Sequence, residues 1–337
     1  MHGHVVGTGA AGGFTDQADA PRMLPETVFD IASVSKVVAT TSMTMLLHQR
    51  GQLDLDQPIA HWLPEFVSLA DPAASSERQR VTVRMLLAHS SGLPAYARLW
   101  ELFAPPESPL HVCLRMPLEA VPGARAVYSD IGFILLGALL ERIAGEPLDA
   151  FGQREIFMPL GMAHTCFRPP AAWKRAIPPT QIDDTLRNAV IQGAVHDANC
   201  WLLGGVSGHA GVFSNAPDLL RFAACILRGG APIFQAETVR YFTTRDASVP
   251  GSSRALGWDT PSQPSSSGIY FSAHSAGHLG YTGTSLWLDF EKQLAVVLLT
   301  NRTYPGNGPA GISNAIQSVR PRFHDAVLES LRLAHLR

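Results

Sequence analysis

Lysine is what this chain has least of. Of its 26 basic residues only Lys36, Lys174 and Lys292 are lysines, and the other 23 are arginines. Cysteine is also sparse. Cys113, Cys166, Cys200 and Cys225 are widely spaced, with no CxxC pair, which speaks against a disulfide framework or a zinc site and for free thiols in a reducing cytosol. Charge of one sign is missing too: the net charge is −2 and basic residues do not cluster, so nucleic acid is excluded as an expected partner. The most apolar run, "IGFILLGALL", is about half the length a membrane span needs. The start, "MHGHVVGTGAAGG", has neither the basic residues nor the apolar run of a signal peptide, and a cytoplasmic location is expected. There is no internal repeat and no G-x-S-x-G elbow.

What is present is a foldable composition. A hydrophobic fraction of 46% supplies a core and excludes disorder. A length of 337 residues admits one large domain or two smaller ones. Residues 4–12 read as a short strand and 33–50 as a helix closed by Gly51. "DQPIAHWLPEF" is a proline-broken connection. "VTVRMLLAHSSGLP" predicts a short helix stopping at Ser91-Gly92. Residues 131–144 and 216–228 predict two more, the first closed by Gly145, the second capped near Asn215 and followed by Gly229-Gly230. Strand signals gather late, in "ALGWDT", "GIYFSA", "TSLWLDF" and "QLAVVLLTNR", with a final helix from about residue 310. Strands at both ends with helices between predict an α/β (α+β) fold: an antiparallel sheet flanked by helices and interrupted by a helical insertion. The sheet domain would comprise 1–55 and 250–337, the mainly helical domain 56–249, with the active site in the cleft between them. Residues 250–268, rich in Pro, Ser and Gly, would form a loop at the second crossing.

A chain that uses arginine for nearly every cation has a chemical reason to keep lysine inside an apolar helix. Arginine stays protonated, whereas a desolvated lysine can act as a base. In "FDIASVSKVVATT" Ser33 stands three residues before Lys36, so the two share a helical face. A serine hydroxyl needs such a base in contact to become a nucleophile, and gains from the helix dipole as its oxygen turns anionic. Ser35 would point elsewhere. The bland alternative is a capping serine beside a snorkelling lysine.

Two further motifs weigh against that alternative. "VYSDIG" supplies Tyr128-Ser129-Asp130 and "GHLGYTG" supplies His278-Leu279-Gly280. S-x-x-K, then Y-x-N or a variant, then K-T-G or H-x-G, in this order, resembles the serine β-lactamase and penicillin-binding-protein superfamily. The tyrosine points to the class C β-lactamase branch with its esterases (family VIII) and D-aminopeptidases. "TVRMLLAHSSGLP", "GHAGVFSNAPDLLRFA" and "GYTGTSLWLDFEKQLAVVLLTNR" are similar to later landmarks of that branch. The resemblance covers roughly residues 25–337. It implies Ser33 as the acylated nucleophile, Lys36 and Tyr128 as the groups sharing its proton, and an oxyanion hole from the backbone N–H groups of Ser33 and Tyr281. It also implies a helix and one or two strands ahead of the nucleophile. About thirty residues are few for both, so either an edge element is missing or the start lies further upstream.

Two departures bear on substrate. Asp130 replaces an asparagine. A carboxylate can hold Lys36 charged but cannot donate to a β-lactam side-chain carbonyl. His278 replaces a lysine, and a mostly neutral imidazole attracts a substrate carboxylate less. Both changes favour a neutral ester or amide. The expectation is a carboxylesterase on small acyl esters, with no cofactor and no metal. A weak β-lactamase or D-amino-acid peptidase is the nearer alternative, and a non-catalytic scaffold the more distant one. Asp130, His278 and Gly280 would contact substrate. His196, Asp197 and Asn199, from "VHDAN", could line the cleft or form a structural hydrogen-bond cluster. His89-Ser90-Ser91 reads as a helix end.

Overall fold

The computed structural model describes residues 7–67, 72–306 and 310–334. Among the described residues eight strands form three small antiparallel sheets. β1 (Phe29–Asp30), β2 (Cys166–Phe167) and β5 (Val212–Ser214) make one, in the order β1-β5-β2. β3 (Gln181–Asp183) and β4 (Ala189–Ile191) make a hairpin. β6 (Ser275–Leu279), β7 (Ser285–Asp289) and β8 (Leu294–Leu298) make the third.

The third sheet shows the period-two alternation of strands. Leu286 and Leu288 face the main core, while Trp287 faces a second cluster with Phe271, Val296 and Leu328. The Ala216–Leu227 helix packs on β7 and β8, and the Ala310–Ala334 helix on β8. Helix ends follow their capping residues. Asn215 accepts the Asp218 N–H at 3.0 Å, Ser129 accepts the Gly132 N–H at 3.0 Å, and Gly145 closes the Asp130–Ala144 helix in a left-handed turn with φ 69°. The helix from "VTVRMLL" is Val83–Leu87, capped by Thr82. It ends at Leu87, short of the expected stop at Ser91-Gly92, and His89 just beyond it takes a left-handed φ of 56°.

The segment expected as one helix over 33–50 is three. A 3₁₀ turn (Ala32–Val34) leads into a π-helix (Lys36–Thr41) and then an α-helix (Ser42–Gln49). Val34, Val37, Val38, Met43 and Leu46 are all buried within it. It is buried on every side, its polar Lys36, Thr40, Thr41, Ser42 and Thr44 included, because it runs through the core and not along a surface.

Three strand expectations fail. Residues 7–12 carry no strand, only a single bridge between Gly13 and Arg22 nearby, and residues 4–6 lie outside the described residues. "GIYFSA" gives no strand; the edge strand is the next segment, "SAGHL". Its Ser, Gly and His are poor strand formers, but a Cβ on Gly277 would stand 2.2 Å from the Trp287 ring. The strand is there because β7 demands a neighbour without a side chain at that point. "ALGWDT" contributes only isolated bridges, from Asp259 to Arg254 and to Gly277.

Candidate active site

Lys36 is fully buried, and its ammonium donates three hydrogen bonds: to Ser33 Oγ at 3.0 Å, to Asp130 Oδ1 at 2.7 Å and to the His209 carbonyl at 2.8 Å. The Tyr128 phenol is a fourth hydrogen-bonding neighbour of the same nitrogen. Burial pushes the lysine toward neutrality. The Asp130 carboxylate, and then the Tyr128 phenol, outweigh it, so its proton affinity is raised. The sequence-based idea of a partly neutral Lys36 is therefore corrected for the resting site: Asp130 holds it as an ammonium.

Tyr128 precedes the Asp130–Ala144 helix by two residues. Its ring centroid lies 5.0 Å from Lys36 Nζ, and its hydroxyl is hydrogen-bonded with Lys36 and Ser33. Burial raises its pKa more than the neighbouring ammonium lowers it. Ser33, Lys36, Tyr128 and Asp130 thus meet in one hydrogen-bonded group, although 94 residues separate Lys36 from Asp130. Ser35 is spent elsewhere, its Oγ accepting the Val212 N–H at 3.1 Å.

The turn after β6 lies against the start of the serine segment. Thr282 Oγ1 donates to the Asp30 carbonyl at 2.8 Å, and Thr284 Oγ1 to the Ile31 carbonyl at 3.0 Å. A Cβ on Gly280 would come within 2.4 Å of that Ile31 oxygen. This close approach sets the Gly280–Thr284 turn against Asp30 and Ile31, the residues that lead into the first helical turn at Ser33, where N–H groups lack upstream partners. Gly280 uses its own N–H on the Thr284 carbonyl, and its carbonyl accepts from Arg320.

His278 is 3% exposed and donates from Nδ1 to the Leu279 carbonyl at 2.8 Å. Burial, then the Lys36 charge, keeps its pKa well below the usual histidine value, so it is a neutral ring 6.0 Å from that of Tyr128. His196 stacks on Tyr281 with centroids 5.5 Å apart and donates its backbone N–H to Asp30 Oδ2 at 2.6 Å. Burial pulls its pKa down to about 4. Asn199 does not offer its amide to the cleft. It is wholly buried, accepts the Leu99 N–H at 3.1 Å and donates to the Ala97 carbonyl at 2.8 Å, tying that loop in place. Among the described residues no group of three His, Cys, Asp or Glu side chains could hold a metal ion.

Of the residues around the site, Asp197 was marked by its place in "VHDAN", whereas His89, His209 and Asp30 carried no readable sign of a part in it. His89, read as a helix end, packs its ring 4.5 Å from that of Tyr128 and accepts the Ser129 N–H at 3.0 Å. Asp197 accepts from His209 Nε2 at 2.8 Å, and His209 Nδ1 meets Ser207 Oγ at 2.8 Å. This row fixes the loop whose carbonyl holds Lys36. Asp30 accepts the Ala32 N–H at 2.8 Å and steadies that residue's φ of 47°. The signal for these residues was proximity across the fold, which a linear pattern does not contain.

A serine in contact with a buried lysine and a tyrosine, on a helix beside an antiparallel edge strand, defines the class of serine hydrolases that includes β-lactamases and penicillin-binding proteins. A family profile described as Beta-lactamase matches residues 2–319, and the chain belongs to that family. It is 33% identical over 307 residues to an Escherichia coli K12 protein named "Putative D-alanyl-D-alanine carboxypeptidase", covering 82% of this chain and 70% of that one. Its fold is similar to that of EstCE1, "a hydrolase with promiscuous acyltransferase activity", with a TM-score of 0.67, 24% identity and coverage of 90% and 88%. It is also similar to an octameric penicillin-binding protein homologue from Pyrococcus abyssi, with a TM-score of 0.65, 22% identity and coverage of 89% and 67%. The protein is a serine hydrolase. No helix among the described residues is long and apolar enough to cross a membrane.

Proposed function

We propose that the protein hydrolyses small acyl esters through an acyl-enzyme on Ser33. The observation that carries this reading is the 3.0 Å hydrogen bond between Lys36 Nζ and Ser33 Oγ, with Tyr128 bonded to both. Once the Lys36–Tyr128 pair has released one proton to solvent, Ser33 Oγ attacks the acyl carbon as its own proton passes into the pair. The oxyanion faces the backbone N–H groups of Ser33 and Tyr281. The bond to the leaving group breaks as Tyr128 returns a proton to it. Water then attacks the acyl-enzyme ester, the pair takes its proton, and the carboxylic acid leaves with Ser33 restored.

A second reading, hydrolysis of a D-amino-acid peptide, is favoured by the name of the Escherichia coli relative. The neutral, buried His278 and the donor-less Asp130 speak against efficient β-lactam turnover. The test is labelling with a fluorophosphonate probe alongside turnover of p-nitrophenyl esters, nitrocefin and a peptide ending in D-alanyl-D-alanine. Labelling is expected at Ser33 and absent in Ser33→Ala. Ester turnover should exceed that of nitrocefin and fall about 10²-fold or more in Tyr128→Phe. Labelling that persists in Ser33→Ala removes the assignment. A wild-type protein that neither labels nor turns over any of these substrates is a scaffold.

A further inference from the structure

A buried cation braces the turn after β6. Arg320, on the Ala310–Ala334 helix, is 7% exposed. One nitrogen of its guanidinium donates to the Gly280 carbonyl at 2.5 Å and to the Thr284 carbonyl at 3.0 Å. Burial, then the charge of Arg302, pushes its pKa down to about 10, and no carboxylate among the described residues offsets them. It is still a cation at neutral pH.

The turn does not need this cation to satisfy its backbone. The Gly280 carbonyl also accepts the Gly283 N–H at 3.0 Å, and the Thr284 carbonyl accepts the Gly280 N–H at 2.8 Å. A charge withdrawn from water is costly unless it is paired, and here it is spent on carbonyls that already have donors. What it adds is charge at a fixed place. The Gly280 carbonyl and the Tyr281 N–H are the two ends of one planar peptide, which is trans, so they point in opposite directions. A cation on the oxygen clamps the plane of that peptide. It also draws electron density toward the oxygen and makes the N–H a stronger donor.

We propose that Arg320 is a positioning residue for the reaction: it fixes and polarises the Gly280–Tyr281 peptide so that the Tyr281 N–H stabilises the oxyanion formed on the substrate carbonyl. This rests on the reading of Ser33 as the acylated residue and of the Tyr281 N–H as an oxyanion donor. Arg320 acts through that peptide and not by contact with substrate. Its effect grows as negative charge develops on the carbonyl oxygen, so the tetrahedral species gains from it far more than the bound ester does.

The test pairs turnover of p-nitrophenyl acetate with inhibition by a trifluoromethyl ketone, 1,1,1-trifluoro-4-phenylbutan-2-one. Ser33 Oγ adds to the ketone carbon, its proton passes into the Lys36–Tyr128 pair, and the carbonyl oxygen becomes the anion of a hemiketal. The ketone thus reports the oxyanion contact with no leaving group involved. Arg320→Met keeps the bulk and removes the charge. It is expected to lower kcat/KM and raise Ki by the same factor, roughly ten- to a hundredfold, less than the loss of about 10²–10³ from removing an oxyanion donor outright. Arg320→Lys restores a charge without the planar fork and should recover part of both. Replacing a buried charge by an apolar side chain is often neutral or stabilising, so the urea midpoint of Arg320→Met should be no lower than that of Arg320→Lys. Recovery of activity in the variant that is not the more stable is what a mere packing role does not produce. An unchanged kcat/KM in Arg320→Met, a fall in kcat/KM with no matching rise in Ki, or losses that simply follow the urea midpoints would overturn the proposal. If Arg320→Met does not fold, the comparison of Ki with kcat/KM in Arg320→Lys decides by the same criterion. In each of these cases fluorophosphonate labelling of the wild type at Ser33 leaves the serine reading intact. A wild type that neither labels nor is inhibited by the ketone would end both.

Discussion

At the scale of the residue, the decisive pair is Lys36 and Asp130. Removing the carboxylate leaves the ammonium buried with no counter-charge, a situation that costs several kcal/mol. The cheaper outcome is a lysine that gives up its proton. In the resting site both Lys36 and Tyr128 carry protons, because Asp130 raises the affinity of the first and burial that of the second. One proton must leave the pair before Ser33 can lose its own, so kcat/KM should rise with pH along an acid limb that belongs to the pair as a unit. Asp130→Asn should move that limb to lower pH, read from a pH–rate profile with a p-nitrophenyl ester. A limb that stays in place would show that Asp130 does not govern proton transfer. Lys36→Arg keeps a charge but cannot accept a proton, and should lose activity by about 10²-fold or more. Near-normal turnover in that variant would mean that charge alone suffices.

At the scale of the element, the site depends on how closely the turn after β6 approaches the start of the serine segment. Gly280 permits that approach: an added Cβ would lie 2.0 Å from Thr284 Oγ1 and 2.4 Å from the Ile31 carbonyl oxygen. Both neighbours are pinned, since Thr284 Oγ1 is bonded to that same carbonyl. Gly280→Ala must therefore push the turn away. The expected cost is about 1–3 kcal/mol of stability from overpacking, with kcat falling about 10²-fold through a displaced Tyr281 N–H. Urea unfolding measures the first and ester kinetics the second. A variant destabilised as expected but unchanged in kcat would separate this turn from catalysis. The π-helical winding at Lys36–Thr41 belongs to the same scale. It makes the helix wider locally where Lys36 leaves it, a feature common at functional sites.

At the scale of the whole molecule, the core fixes how stability responds to acid. His89, His196, His278 and His324 are held neutral, each chiefly by burial, with pKa values of about 4 for His196 and His324 and well below the usual value for the other two. In the unfolded chain all four would take up protons near pH 6.5. Between that pH and pH 5 the unfolded state binds more protons, so stability falls as pH falls, by about 2 kcal/mol for each histidine. Asp30 opposes them. Burial raises its pKa from 3.8 to about 6, so its contribution is fully present below 3.8 and is lost as pH rises through about 6. Four groups against one leave a net loss in acid of several kcal/mol, comparable with the stability of an ordinary domain. Urea midpoints at pH 7 and pH 5 should differ strongly, the lower one at pH 5. Equal midpoints would show that these rings already carry protons when folded.

The sequence by itself determined the elements with local signals and the chemistry with fixed spacing. Asn215, Ser129 and Gly145 cap or close helices through bonds to residues a few positions away, and the alternation in "SLWLD" needs only its own strand. Ser33 and Lys36 are three residues apart, so one helical turn joins them before any tertiary contact forms. Tyr128 was legible through its motif, not through its neighbours. The strand at "SAGHL" was hidden because its partner supplies the reason for it: Trp287 fills the space above Gly277. Only the tertiary structure decided the charge of Lys36, which depends on a carboxylate 94 positions away, and the retirement of Asn199 into a loop tie. It alone set Arg254, the ion-pair partner of Asp259, against the ring of Tyr128. A motif records which groups a reaction needs. How each is charged, and which are left free to meet a substrate, is set by burial and by partners that the chain reaches only when folded.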